Sequence, residues 1–277
     1  MSLPPAVVHV DLDGGPEIFA AHGWRYAHTD DPLFLSGLRG TLELLDELGL
    51  RATLFVIVEA MKDAERRALV LEAVSRGHRI ASHTLTHRWL PTLSPVEQKR
   101  EIAESRERLQ QLFGVAVQGF RAPGFGTSAA IRAMVAGAGY RFDSSQFPPS
   151  RNCAGPWTEA TGLVELPLPV HRPLPLPFHP SYSLVLGTWY FRAGLSRHRG
   201  TGAPLVLLLH LTDVAAPLPP DYLTGWKSRI FTLSHLSQAA KRERCRGMLA
   251  SIGQGYRWAV SDDELVELAE PRPKGSA

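Results

Sequence analysis

Cysteine is scarce in this sequence, which has only Cys153 and Cys245 among its 277 residues. Neither lies in a CxxC pair or beside a candidate base, so neither a disulfide framework nor thiol catalysis is indicated. We expect two ordinary reduced thiols. A chain of this length can bury a core large enough to fold without disulfides.

Long apolar runs are also missing. No stretch approaches the roughly 18 apolar residues that a membrane-spanning helix needs. The start of the chain, MSLPPAVV, lacks a basic segment followed by a long apolar run and therefore does not resemble a signal peptide. We expect a cytoplasmic protein without a membrane span, and a disordered tail at residues 271–277.

The charge is nearly balanced, with 30 basic and 27 acidic residues and a net charge of +3. Two short basic clusters, at residues 197–199 and 241–244, are interpreted as solvated surface, with weak attraction to anionic glycans or lipid head groups as the alternative. No nucleic-acid motif is present, so no nucleic-acid partner is expected.

Short apolar runs alternate with helical patterns over the first two-thirds of the chain. Strands are predicted at residues 6–12, 51–58, 78–82, 115–121 and 140–143, and helices at 38–48, 63–76, 94–113 and 128–138. This alternation predicts parallel βαβ units in a barrel or an open doubly wound sheet. No glycine-rich dinucleotide fingerprint follows the first strand, which argues against a nucleotide-binding fold.

The pattern changes at residues 167–180, which hold six prolines and predict an extended, irregular segment. Later elements are predicted as a buried strand at 204–211, a helix at 233–252, a strand at 256–260 and a last helix capped by residues 261–264. Because no repeat or domain boundary is found, we expect one domain over residues 1–277 with its core at 6–268.

Polar residues stand at the carboxyl ends of the predicted strands, where the active sites of parallel α/β folds assemble. Asp11 and Asp13 end the first strand, and side chains two residues apart point to the same face. Two buried carboxylates on one face are costly unless a positive charge lies between them, which a bound cation would supply. An Asp13-Gly14 turn is the alternative.

His83 and His87 follow the third predicted strand at a spacing that lets two imidazoles face one metal ion in a helix or tight turn. With Asp13 they form three protein ligands and leave other positions open, which is typical of a catalytic metal site. The alternative is a pair of surface histidines.

Three further polar residues end later strands. Arg121 could orient a carboxylate and lower its pKa, or be a surface arginine before a loop. Asp143 could orient Arg121 or His210, or cap the next segment. His210 closes a strongly apolar run and is either a core histidine or, opposite a metal, a candidate general acid.

Together these residues resemble the five motifs of NodB-type polysaccharide deacetylases, also called carbohydrate esterase family four. The motifs in chain order are Asp11-x-Asp13-Gly14, His83-x-x-x-His87, Arg121-x-Pro123, Asp143-Ser144-Ser145 and Leu-x-His210. The resemblance covers residues 6–268. It implies a distorted (β/α) barrel of about seven strands that binds one divalent metal, most often zinc.

The resemblance also implies a role for each matched residue. The metal would be held by Asp13, His83 and His87. Asp11 would be the general base that activates water, Arg121 would hold Asp11, and His210 would protonate the leaving amine. Asp143 is counted with these catalytic residues.

Two departures from the commonest family pattern bear on these roles. Leu12 stands where the first of two adjacent aspartates is usual, so the base moves to Asp11. This Asp-x-Asp form resembles a branch containing cytoplasmic or peptidoglycan-associated deacetylases and cyclic-imide hydrolases. Arg88-Trp89 follows His87 where many members have proline, which affects the substrate rim.

The preferred interpretation is an amide hydrolase that removes an acyl group, such as acetyl, from an N-acyl amino sugar in a glycan, a lipid-linked sugar or a glycoside. Aromatic residues around the proline-rich segment, including Trp157, Tyr182, Trp189 and Tyr190, either stack on sugar rings or pack that segment on the barrel. One alternative is a metal-dependent hydrolase of cyclic imides or ureides. Another is a non-catalytic carbohydrate-binding barrel that has lost its base at Leu12.

Overall fold

A curved, mostly parallel sheet lies at the centre of the computed structural model, which describes residues 3–150, 153–171 and 176–271. Its strands in chain order are β1 (Pro5–Asp11), β2 (Ala52–Val56), β3 (Arg79–Ser82), β4 (Gly119–Phe120), β5 (Phe142–Asp143), β6 (Trp157–Thr158), β7 (Val164–Glu165), β8 (Val170–His171), β9 (Leu176–Pro177), β10 (Leu205–His210), β11 (Arg257–Trp258) and β12 (Glu270–Pro271). Strands β8 and β9 form a separate antiparallel pair.

Seven strands lie side by side and parallel, in the order β10-β1-β2-β3-β4-β5-β7. Strands β6 and β12 extend this row, and β11 pairs with the start of β1. The sheet curls into a partly closed barrel, so the predicted distorted (β/α) barrel of about seven strands is confirmed.

The helices pack outside the sheet. In chain order they are α1 (Gly15–Ala21), α2 (Pro32–Glu47), α3 (Ala64–Ser75), α4 (Pro95–Phe113), α5 (Ala129–Gly137), α6 (Pro180–Leu186), α7 (Thr188–Arg199), α8 (Trp226–Phe231), α9 (Gln238–Gly253) and α10 (Asp263–Val266). Helix α4 begins with a capping box, in which the Ser94 hydroxyl accepts from the Glu97 amide and the Glu97 carboxylate accepts from the Ser94 amide.

Strand β1 separates two cores by the alternation of its side chains. Val8, Val10 and Leu12 belong to the larger core between the sheet and its helices. Val7 belongs to the smaller core inside the barrel, and His9 contacts the ring of Phe55 there. The inward-facing positions of β1 therefore become polar toward its carboxyl end.

Four helices were not predicted by the sequence pattern: α1, α6, α7 and α8. Neither α6 nor α7 begins with a side chain that caps its first amides, so the usual start signal is missing. The helix predicted from residue 233 begins instead after Ser237, whose hydroxyl accepts from the Ala240 amide. The described part of residues 167–180 contains β8 and β9 rather than being wholly irregular.

Aromatic residues around the proline-rich segment divide by burial. Trp157 and Tyr190 are buried, whereas Trp189 is 65% exposed and Tyr182 is 39% exposed. Residues 172–175 lie outside the described residues, as do residues 272–277 of the tail predicted from 271, whose first residue, Pro271, lies in β12. Within the described ranges, no helix combines the length and the apolar character needed to cross a membrane.

Candidate active site

The register of the sheet gathers the predicted site residues at one edge. Asp11, the last residue of β1, lies opposite His210, the last residue of β10. On the other side of β1, β2 leads to β3, whose last residue Ser82 precedes His83. Because β4 follows β3 in the sheet, Arg121 reaches the same edge. The predicted clustering of polar residues at the carboxyl ends of the strands is therefore present.

Asp13, His83 and His87 form a candidate metal centre. Each offers one ligand atom, and the three atoms lie within 4.8 Å of one another. Asp13 Oδ1 is 3.0 Å from Nε2 of His87 and 3.5 Å from Nε2 of His83. One carboxylate oxygen and two imidazole nitrogens form a donor set that suits zinc and similar divalent ions.

The hydrogen bonds around these side chains also fit a metal. Nδ1 of His83 donates to the carbonyl of Arg121 at 2.8 Å. Nε2 of His83 is then unprotonated, and its lone pair is free to bind a metal beside Asp13. Asp13 Oδ1 and His87 Nε2 are buried and make no hydrogen bond of acceptable geometry with the described residues. A metal ion bound by both atoms would satisfy them.

The pKa shifts favour metal binding at Asp13 and His83 and oppose it at His87, where the metal would have to displace a proton. Burial raises the pKa of Asp13, but the nearby His87 and His83 outweigh it and lower the pKa below its usual range. Burial lowers the pKa of His83, which favours the neutral imidazole that a metal requires. Burial also opposes protonation of His87, yet Asp13 raises its pKa overall.

The loop that carries the two histidines has an uncommon backbone. Thr84 and His87 have positive φ angles of 70° and 61°, values rarely adopted by residues other than glycine. The buried carboxylate of Glu101, on α4, accepts from the amides of Leu85 and Thr86 at 3.0 and 2.8 Å. Glu101 therefore holds the loop in the conformation that directs His87 toward Asp13.

Asp11 lies between the metal centre and His210. Its Oδ1 accepts from Nη1 of Arg121 at 2.6 Å, and its Oδ2 is 3.9 Å from Nε2 of both His83 and His210. Leu12 is fully buried in the core on the other face of β1. A carboxylate is thus present at the site although the usual aspartate position holds leucine.

Arg121 is fully buried and bonded on every side. Its Nε donates to the Ser144 carbonyl at 2.8 Å, and its Nη2 donates to the Ser144 hydroxyl at 2.7 Å and to Nδ1 of His9 at 2.8 Å. The guanidinium lies 4.0 Å from the centre of the Phe55 ring. These contacts leave Nη1 directed at Asp11.

His210 is oriented through a serine. The Ser181 hydroxyl lies 3.1 Å from Nδ1 of His210 and donates to Oδ1 of Asp213 at 2.6 Å. Since that hydroxyl proton is directed at Asp213, the Ser181 oxygen accepts from Nδ1 of His210. Nε2 of His210 then faces Asp11, where it can exchange a proton with a bound substrate.

Asp143 lies apart from these side chains. Its Oδ1 accepts from the Ser145 hydroxyl at 2.5 Å, and among the described residues it makes no hydrogen bond or ion pair with the side chains of Arg121 or His210. Ser144 bonds Arg121 and Ser181 bonds His210 instead. A direct orienting contact by Asp143 is therefore not found, and its catalytic role stays a prediction.

Residues 17–142 match the family model of polysaccharide deacetylases. The predicted resemblance to NodB-type polysaccharide deacetylases is therefore confirmed over this part of the chain. The match includes two of the candidate metal ligands, His83 and His87, whereas Asp13 precedes it and His210 follows it.

Solved structures extend the similarity in fold over nearly the whole chain. A protein from Mycobacterium smegmatis, described as a candidate polysaccharide deacetylase, is 21% identical with a TM-score of 0.67 and covers 98% of this chain and 93% of its own. Puue allantoinase is 14% identical with a TM-score of 0.65, covering 95% and 89%. A pseudoenzyme of carbohydrate esterase family four from Bacillus anthracis is 13% identical with a TM-score of 0.53, covering 98% and 67%.

The fold brings further polar residues to the site that the sequence analysis did not single out. They are His9, Glu101, Ser181, Asp213 and Asp262. His9 continues the two-residue spacing of Asp11 and Asp13 along β1, so this spacing could have identified it as a site residue. Ser181 had none, because it lies 29 residues before His210 on a helix without a capping signal.

Proposed function

We propose that this polysaccharide deacetylase domain is a metal-dependent amide hydrolase that removes an acyl group, most simply acetyl, from an N-acyl amino sugar. The family implies a carbohydrate substrate. The observation that carries the proposal is the position of Asp11, whose Oδ2 lies 3.9 Å from both a candidate metal ligand, His83, and the candidate acid, His210.

Amide hydrolysis has two difficult parts, the attack of water on the carbonyl and the departure of the nitrogen. Different groups of the protein can assist each part. A divalent metal would polarise the amide carbonyl and lower the pKa of water toward about 7. Asp11, held by Arg121, would accept the proton from the attacking water. His210 would donate a proton from Nε2 to the nitrogen, which otherwise leaves poorly as an amide anion.

We propose zinc as the metal on the basis of the donor set of Asp13, His83 and His87. Three protein ligands leave room for substrate and water, which distinguishes a catalytic from a closed structural zinc site. The bond from Nδ1 of His83 to a backbone carbonyl supports this choice, because such bonds orient histidine ligands in zinc proteins.

Hydrolysis of a cyclic imide or ureide is the second candidate function. Its support is the Asp-x-Asp form of the first motif and the similarity in fold to an allantoinase. The same residues would act on it, since a ring amide also needs an activated water and a protonated nitrogen. The two proposed substrates would differ only in the shape of the pocket that each needs around the metal.

A non-catalytic, sugar-binding role is the third candidate, supported by the similarity in fold to a pseudoenzyme. The contacts of Asp11 favour catalysis over this role. A carboxylate that is 3% exposed and held by a fully buried arginine is costly to retain without a use.

The test is the metal content of the purified protein, followed by turnover of N-acetylated sugars and of cyclic imides. We expect about one zinc per chain in the wild type and its loss in His83→Ala. His78→Ala is the matched control, because His78 is equally buried but bonds the Ala52 amide away from the site. Turnover of imides alone would replace the sugar proposal, and sugar binding without any turnover would favour the non-catalytic role.

A further inference from the structure

A line of buried hydrogen bonds runs through the barrel to the candidate base. Asp262 Oδ1 lies 2.8 Å from Nε2 of His9, and Nδ1 of His9 lies 2.8 Å from Nη2 of Arg121. Nη1 of Arg121 is 2.6 Å from Asp11 Oδ1. All four residues are at most 3% exposed, so bulk solvent competes little for these bonds.

Only one placement of protons on His9 allows all the hydrogen bonds of this line to form. Arginine has donors and no acceptor, so Nδ1 of His9 must be unprotonated to receive the bond from Arg121. The single proton of a neutral His9 is then on Nε2, where it is donated to Asp262. Burial lowers the pKa of His9 and favours this neutral form.

Asp262 is placed to keep that proton on Nε2. Its other oxygen accepts from the Thr53 hydroxyl at 2.5 Å, so the carboxylate has a partner on each side. Burial raises the pKa of Asp262, but the neighbouring His9 contributes to a net lowering. An ionised carboxylate can only accept hydrogen bonds, which selects the Nε2–H tautomer of His9.

The tautomer matters for Arg121. If His9 carried its proton on Nδ1, two N–H groups of fully buried residues would face each other, and the guanidinium would have to move. Ser144 alone would then hold Nη2. Because Arg121 is the group that directs Asp11, a displaced guanidinium would misplace the carboxylate.

We propose that His9 and Asp262 are positioning residues of the hydrolytic site: Asp262 sets the proton of His9 on Nε2, and His9 thereby holds Arg121 so that Arg121 directs Asp11. This inference rests on the proposed function for the role of Asp11. The arrangement of protons on His9 does not depend on it.

The first experiment compares His9→Asn with His9→Leu. The two replacements have similar size and both lose the bond to Asp262, but only asparagine offers an oxygen near the position of Nδ1. The activity is measured on the best amide of the substrate panel and on p-nitrophenyl acetate, whose hydrolysis also needs an activated water.

We expect His9→Asn to keep most of the kcat and His9→Leu to lose roughly 10- to 100-fold, with KM and zinc content unchanged in both. Both variants should lose stability, because Asp262 loses one of its two partners. Equal kcat losses in the two variants would refute the positioning role, since a purely structural histidine would not distinguish them.

The second experiment reads the proton directly by NMR of protein labelled with ¹⁵N in histidine, using His9→Asn to assign the signals. We expect His9 in the wild type at neutral pH to carry its proton on Nε2 with a hydrogen-bonded, unprotonated Nδ1. In Asp262→Leu a population with the proton on Nδ1 should become detectable. Thr53→Val, which removes the other partner of Asp262, should keep the single tautomer.

The two experiments distinguish a failure of the proposed function from a failure of the inference on His9. If the wild type hydrolyses neither amides nor the ester, the proposed function fails, while the NMR spectrum still tests the placement of protons on His9. A proton on Nδ1 in the wild type, a charged His9, or an unchanged spectrum in Asp262→Leu would each overturn the inference even in an active enzyme.

Discussion

The Ser181 hydroxyl lies 3.1 Å from Nδ1 of His210 and links that ring to the carboxylate of Asp213. Ser181 lies in α6, whereas His210 is the last residue of β10. Asp213 also accepts from the amide of His210 at 2.9 Å, so the carboxylate holds both the backbone and the ring of this residue. The candidate acid is therefore oriented by two elements at once.

Ser181→Ala should slow amide hydrolysis by roughly 10- to 100-fold, part of the 10²–10⁴-fold that general acid catalysis contributes. Without the hydroxyl, the Nδ1 proton of His210 has no acceptor, and the ring can turn away from the substrate nitrogen. Hydrolysis of p-nitrophenyl acetate should change little, because p-nitrophenolate leaves without being protonated. The measurement is kcat on an amide and on this ester.

Ser183→Ala is the control for this prediction. Ser183 lies in the same helix, and its buried hydroxyl bonds the His179 carbonyl rather than His210. Both substrates should be turned over normally by this variant. Equal losses on amide and ester in Ser181→Ala would show that the serine supports the fold of α6 and not the acid.

Asp11→Asn should reduce turnover of amide and ester alike by about 10²–10⁴-fold and leave one equivalent of metal bound. The amide group of asparagine keeps the size of the side chain but cannot accept a proton from water. Zinc content and kcat are measured on the same preparation. Surviving activity would mean that another group, rather than Asp11, is the base.

The residues at the strand ends were predictable because two simple rules act on them. Strand alternation puts Asp11 on the inner face, and parallel strands bring their carboxyl ends, with Arg121 and His210, to one edge. Both rules depend on local sequence and on the direction of the chain. They hold whatever the details of packing are.

Residues that act through others were not predictable in this way. Glu101 lies on a helix rich in charged residues, where a glutamate normally faces water, yet it is 1% exposed. Asp262 precedes α10 and was interpreted as a cap, but its side chain is directed into the barrel at His9, and it makes no capping bond. Their partners lie 13 or more residues away in sequence, so only the fold brings them together.

Glu101→Ala should weaken zinc binding by roughly 10- to 100-fold, in the range typical of residues that hold a metal ligand in place. Its carboxylate accepts hydrogen bonds from the amides of Leu85 and Thr86. Loss of these two bonds frees the loop in which His87 has a positive φ. Zinc affinity is measured by competition with a chelator.

Glu104→Ala is the matched control on the same helix, since Glu104 pairs with Arg100 and Arg108 at the surface. It should bind zinc as the wild type does. Unchanged zinc affinity in Glu101→Ala would mean that the loop keeps its shape without this carboxylate.

Asp143 and Glu165 are neighbouring buried carboxyl groups on β5 and β7. Burial raises the pKa of Asp143 from 3.8 to about 6, and burial together with Asp143 raises the pKa of Glu165 well above its usual value. A raised pKa in the folded state means that the folded protein binds more protons than the unfolded chain. The stability contributed by the protonated form is present below about pH 4 and is lost as the pH rises through about 6.

Asp143→Asn should therefore stabilise the protein at pH 8 by about 1–3 kcal/mol relative to the wild type, with little difference near pH 4. The asparagine oxygen can still accept from the Ser145 hydroxyl, and the uncharged amide removes the repulsion with Glu165. The free energy of unfolding is measured by denaturant titration at both pH values, with the exposed Glu107→Gln as control. If the variant is no more stable at pH 8, Asp143 has a counter-charge in the folded protein; a large loss of kcat in the stable variant would support the catalytic role predicted for it.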